Sequence, residues 1–197
     1  MAYDQHIRTE EELNLQLKHL IEIKKVHEKY NIRMRLSAGT LLGAVREKDF
    51  IKWDWNVSVE SFHEEFFPHF ENICSDFEAL GYKIKKRVKK GHVAVNIFKD
   101  DIKFVIEACK LSEDGKYRTL PMYKWPSKFF KDLEAVELRG EKFLAPKNPE
   151  KFLEWYYGAD WQIPKVIGHR SEVITKECYR RNKQKCKQNR PRVNNGR

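Results

Sequence analysis

The segment Ser37-Ala38-Gly39-Thr40 is followed, within twenty residues, by Asp54, Asn56 and Ser58 at alternate positions. Small residues at a strand-to-helix turn let backbone N–H groups approach an anion where the helix dipole favours negative charge. A strand with polar groups at every second position puts them on one face, where a carboxylate at i and a ligand at i+2 could grip a divalent cation from one side. Together, an anion cradle and a cation held by acids are what a transferase acting on a phosphodiester needs, because charge develops on the transferred group. Arg46 adds a guanidinium that matches phosphate oxygens bidentately, and Glu107, in Phe104-Val105-Ile106-Glu107, offers a further acid on a later strand. Parity along that strand does not say whether Glu107 shares a face with Asp54, and an exposed acid facing a basic neighbour is the competing expectation. For Arg46 the competing expectation is a surface pair with Glu47 or Asp49.

These residues must be positioned by an α+β framework. Thr9 and Glu12 form a capping-box pattern, and Leu13, Leu17, Leu20 and Ile21 recur at helical spacing, predicting a first helix that ends near Tyr30. Ile32 to Leu36 reads as a strand, then a tight turn and a short helix. Trp53, Trp55, Val57 and Val59 alternate with Asp54, Asn56, Ser58 and Glu60, which makes the two tryptophans core residues. The spacing of Phe62, Phe66, Phe70, Ile73 and Phe77 predicts a second helix over 61–80, stopped at Gly81. Three strands follow, Tyr82 to Val88, His92 to Phe98 and Lys103 to Ala108, divided by turns at Lys89-Lys90-Gly91 and Asp100-Asp101. After a loop through Pro121 and Pro126, a hairpin about Gly140 and a helix opened by Asn148-Pro149 and stopped at Gly158 complete the order. The sheet is expected to be mixed or antiparallel and flanked by helices. His92 reads as a turn histidine, and Tyr157 and Trp161 either border an acceptor groove or pack on the domain.

With 197 residues, one domain is expected over 1–170, and the basic stretch 171–197 is expected to be a flexible tail. A hydrophobic fraction of 41%, with five Trp and twelve Phe, excludes a mainly disordered chain. The net charge of +10 favours anionic partners without choosing among nucleotides, phosphorylated glycans, nucleic acid or an acidic membrane surface. Cys74, Cys109, Cys178 and Cys186 lack zinc-site spacing and disulfide density, so reduced thiols are expected. The start of the chain shows no signal-peptide core, and a cytoplasmic protein is expected, with peripheral membrane contact through the basic tail.

The block SAGTLLGAVREKDFIKWDWNVSV resembles the motif block of the LicD family, which includes fukutin-type proteins and reads approximately GTLLGxxR and then IPWDxDxD. The resemblance extends to Asn148-Pro149 and to a Tyr157-Gly158-x-x-Trp161 segment, covering roughly positions 12 to 166. It implies a nucleotidyltransferase-like fold and metal-dependent transfer of a phosphoalcohol, such as phosphocholine or a polyol phosphate, from a CDP-linked donor to a cell-surface or secreted glycan. Carried over, Ser37, Gly39 and Thr40 form the phosphate turn, Arg46 pairs with donor phosphate, and Asp54, Asn56 and Glu107 are the catalytic and Mg2+- or Mn2+-binding set. The chain departs from the pattern where Asn56 and Ser58 stand for acids. That leaves three alternatives: a subfamily with a sparser site, a pseudoenzyme that binds nucleotide or glycan without turnover, or an Asp-to-Asn replacement made at position 56. A nucleic-acid-binding module is a further class, but no zinc-finger spacing or RNA-binding motif supports a specific one.

Overall fold

The computed structural model describes residues 6–89, 91–121 and 123–164. The expected tail and Cys178 and Cys186 lie outside the described residues.

Helix α1 spans Glu10–Lys29. Thr9 closes its N-terminus as a full capping box, its hydroxyl accepting from the Glu12 N–H while the Glu12 carboxylate accepts from the Thr9 N–H. Strand β1 is only Arg35–Leu36, because the chain from Asn31 to Met34 makes no ladder. Helix α2, Ala38–Arg46, follows at once, entered through Ala38 in the left-handed region at φ 46°. Strand β2 runs Asn56–Phe62, so Trp53 to Trp55 precede it rather than belonging to it. The single long helix expected over 61–80 is instead α3 (His63–Phe66), a 3-10 turn (Phe67–His69) and α4 (Phe70–Ala79). Pro68 within the 3-10 turn lacks the N–H that a continuous helix requires. Ser61 and Phe62, counted as helical from their spacing, complete β2.

Strands β3 (Lys83–Lys89), β4 (His92–Lys99) and β5 (Ile102–Leu111) form the expected meander. The loop through Pro121 and Pro126 holds an unforeseen short hairpin, β6 (Tyr117–Thr119) and β7 (Lys124–Pro126). Strands β8 (Leu133–Leu138) and β9 (Glu141–Pro146) turn at Arg139-Gly140, both at positive φ, and α5 (Pro149–Tyr157) ends at Gly158.

The main sheet has the order β3-β4-β5-β2-β1-β9-β8, with β2–β5 and β1–β9 parallel and the other neighbours antiparallel. Paired residues share a face, so Val57 and Val59 align with Phe104 and Ile106, and these with Ile97 and Val95, all buried. Helices α1 and α4 cover this face: His19 and Phe77 both meet the Tyr82 ring, which meets Phe104. The opposite face carries Asn56, Ser58 and Glu60 of β2, Lys103, Val105 and Glu107 of β5, Asn96 of β4, and Lys85 and Arg87 of β3. It is the face on which chemistry is expected.

Candidate active site

The turn Ser37 to Thr40 is bound edge-on to β2. The Ser37 N–H donates to the Ser58 carbonyl at 3.1 Å, and the Thr40 hydroxyl oxygen accepts from the Ser58 N–H at 2.8 Å. Asp54 is buried, and its carboxylate lies against Gly39: a Cβ added there would sit 2.0 Å from Oδ2. Glycine is therefore required at 39 by close approach, and the anion that meets the first turn of α2 is the protein's own. The Asp54 carboxylate also accepts from the Asn56 N–H, at 3.4 Å, and the Asp54 carbonyl accepts from Arg8 Nε at 3.2 Å. Arg8 went unnoticed in the sequence, since nothing in its spacing links it to a segment more than forty residues on.

Asn56 and Ser58 share the expected face, and the Asn56 side-chain amide donates to Ser58 Oγ at 2.7 Å. Directly across the parallel ladder from Asn56 stands Lys103, and from Ser58 stands Val105. The Lys103 ammonium lies 4.0 Å from the centre of the Trp55 ring. Trp55, expected in the core, is 51% exposed, because the pleat that would have turned it inward begins only at Asn56. Trp53 does pack on the core. Arg46 is placed beside Glu47, with Nη2 to Oε1 at 2.5 Å.

Glu107 lies on the same face, but its partner in register is Glu60, four residues beyond Asn56, which puts it about 13 Å along the strands from the amide. It pairs with Arg87 at 3.1 Å, the basic neighbour being two strands over, beyond Ala94. Asp54, Asn56 and Glu107 are thus not gathered around one point. Among the described residues no three of His, Cys, Asp and Glu converge as metal ligands. One buried carboxylate turned to a helix, one amide bonded to a hydroxyl, and a lysine across the ladder are a poor donor set for Mg2+, which is bound through carboxylates and keeps strict geometry. These residues do not fit a divalent ion.

The far end of the face forms a second constellation that the sequence did not announce. Arg35, 1% exposed, donates to Glu60 Oε2 at 2.6 Å and to Cys109 Sγ at 3.1 Å. Burial pushes the Glu60 carboxyl up to about 7, with Arg35 opposing and the neighbouring Glu107 adding to the rise. Burial also raises Glu107, against the pull of Arg87. The Arg35 guanidinium lies 4.4 Å from the centre of the Phe130 ring, and Trp125, Phe130, Tyr156 and Tyr157 are buried. Tyr157 and Trp161 pack on the domain. His92 opens β4 half-buried, its Nδ1 without a partner.

The fold is that of known nucleotidyltransferases. The solution structure of the antibiotic-resistance factor ANT(2'')-Ia superposes with a TM-score of 0.53 at 15% identity, over 85% of this chain and 82% of that one. A crystal structure of ANT(2'')-Ia with adenylyl-2''-tobramycin gives 0.50 at 16%, over 84% and 86%. An uncharacterized protein of Rickettsia typhi is 32% identical over 127 residues, 61% of this chain and 38% of its own length. One of Rickettsia prowazekii is 32% identical over 147 residues, 68% of this chain and 53% of its own length. The chain thus spans about half or less of these relatives. Among the described residues no helix is long and apolar enough to cross a membrane. The family model for LicD/FKTN/FKRP, nucleotidyltransferase domain, matches residues 31–148, more than half of the chain, so the protein belongs to the LicD/FKTN/FKRP family, whose transferase fold it shares.

Proposed function

We propose that this chain is a LicD-type domain that binds a CDP-linked phosphoalcohol donor on the open end of its sheet face without a divalent ion, and that it has lost rapid transfer of that group to a glycan. The observation that carries this reading is the replacement of the ion grip by an amide and a hydroxyl bonded to each other, Asn56 to Ser58 at 2.7 Å, with Asp54 turned onto α2. Ligand groups that need no metal remain around it: the side chains of Asn56 and Ser58 and the basic residues of β3 and β5. Family membership and fold support a phosphorylated, nucleotide-linked ligand and a glycan acceptor.

A thermal-shift panel tests this. CDP-choline, CDP-ribitol and CDP-glycerol are each offered with Mg2+ or with a chelator, because a ligand that binds only the folded state raises the melting temperature. We expect one donor to raise it equally in both conditions, with no release of CMP in the presence of a glycan. Failure of every donor to shift the protein overturns the reading, and a shift seen only with metal and accompanied by turnover replaces it with a metal-dependent transferase.

A further inference from the structure

Between the Asn56 end of the face and the edge strand lies a group of cations of which, among the described residues, only Arg87 meets an acid, Glu107. Lys103 is across the ladder from Asn56; Lys85 and Arg87 lie on the same face of β3. Among the described residues Lys85 and Lys103 form no ion pair. Burial lowers the Lys103 ammonium, and so do the positive charges of Arg87 and Lys85. Three cations on one face, answered among the described residues by the single carboxylate of Glu107, are an unfavourable arrangement, since like charges repel. An anion lodged among them would remove that penalty.

We infer that the Lys103 ammonium stands in for the family's divalent ion, so that with Lys85, Arg87 and the Asn56 amide it forms a metal-free site for a diphosphate group. The inference rests on the binding reading above and adds to it the residue that makes metal unnecessary. Lys103 is suited to the part in two ways. It occupies the strand position facing Asn56, where a further carboxylate would be needed to complete an ion site. Its ammonium is also held over the Trp55 ring, so its position is fixed before a ligand arrives. A lysine cannot coexist with a divalent ion at that place without severe repulsion, which explains why Asn56 and Ser58 can be neutral.

The test measures binding of CDP, inorganic pyrophosphate and cytidine by calorimetry, with EDTA or Mg2+, for the wild type, Lys103→Arg, Lys103→Met and the triple variant Asn56→Asp, Ser58→Asp, Lys103→Asp. CDP is expected to bind the wild type equally with EDTA and with Mg2+; pyrophosphate should bind and cytidine should not. Lys103→Met should weaken CDP about tenfold or more, and Lys103→Arg by much less, as a charged hydrogen bond to phosphate predicts. The triple variant should bind CDP only with Mg2+. CDP binding that needs Mg2+ in the wild type, or that Lys103→Met leaves unchanged, overturns the role of Lys103 while the binding reading stands. No binding of CDP or pyrophosphate to folded wild type sinks both. Binding of pyrophosphate without any preference for CDP assigns the site to free diphosphate and removes the nucleotide.

Discussion

One face of one pair of parallel strands carries two clusters with opposite characters. At the Asn56 end, β2 and β5 bring together an amide, a hydroxyl and a lysine, open to solvent and beside the basic edge strand. At the Glu60 end, four residues further along, the same two strands bring two carboxyl groups together, Glu60 buried beside Trp125, Phe130 and Tyr156 and held by Arg35, Glu107 half-buried and held by Arg87. Paired carboxylates are what the family's chemistry needs, yet here they occur where an arginine and aromatic rings occupy the space around them. Where a ligand could reach, the acids are gone. The difference teaches that acids read from sequence mean little until the register says which neighbours they meet and what already neutralises them.

The largest effect that separates the two ends is the cost of removing one cation from each. Arg35→Ala leaves Glu60 buried without its partner and should cost about 3–5 kcal/mol in urea unfolding. Lys103→Ala should change stability by no more than about 1 kcal/mol, since its side chain is half-exposed, pairs with no acid and loses only its place over the Trp55 ring. Equal costs would break the distinction between a structural end and a binding end.

A smaller effect sharpens it through pH. The folded carboxyl of Glu60 is raised from 4.5 to about 7, so the stability tied to its neutral form is fully present below about 4.5 and is lost as pH rises through about 7. Glu60→Gln keeps the neutral form at every pH. The stability of the variant relative to wild type should therefore improve steadily from pH 4.5 to 7, by at most about 3.5 kcal/mol, which is 2.5 units at about 1.4 kcal/mol each. A difference that is flat across that window would mean that Arg35 holds Glu60 ionised throughout.

Much of the frame could be read from the sequence because local signals suffice for it. The capping box of Thr9 and Glu12, the turns at Gly91, Asp100-Asp101 and Gly140, and the stop at Gly158 each depend on residues within a turn of one another. Pro68 was visible too, but the aromatic spacing across it imitated one helix and hid the break. The site was legible only in part. Gly39, Thr40, Asp54, Asn56 and Ser58 do meet, because two hydrogen bonds fasten the turn to the strand it precedes. Glu107 could not be placed, since one residue of register decides its face and four decide its neighbour. Lys103, Arg8 and Arg35 could not be found at all: each acquires its meaning from a partner brought in by the sheet or by the chain end, and their own sequence neighbourhoods look like ordinary basic surface.

The smallest expected effect tests the boundary where the sequence pattern and the fold disagree. Alternation counted Trp55 with Val57 and Val59 as core, and truncating a core tryptophan costs about 3–5 kcal/mol. The structure instead leaves Trp55 half in solvent, its ring serving as a platform 4.0 Å below the Lys103 ammonium. A cation over an exposed indole contributes about 0.5–1 kcal/mol. Trp55→Ala should therefore lower stability by about that amount, and combined with Lys103→Met it should cost less than the sum of the two single changes, because the two residues share one interaction. A loss of several kcal/mol would restore Trp55 to the core and move the start of β2 upstream, carrying Asp54 into the ladder with it. A loss that adds fully to that of Lys103→Met would mean the ring does not hold the ammonium, and the open end of the face would then lack the fixed charge that distinguishes it from an ordinary basic surface.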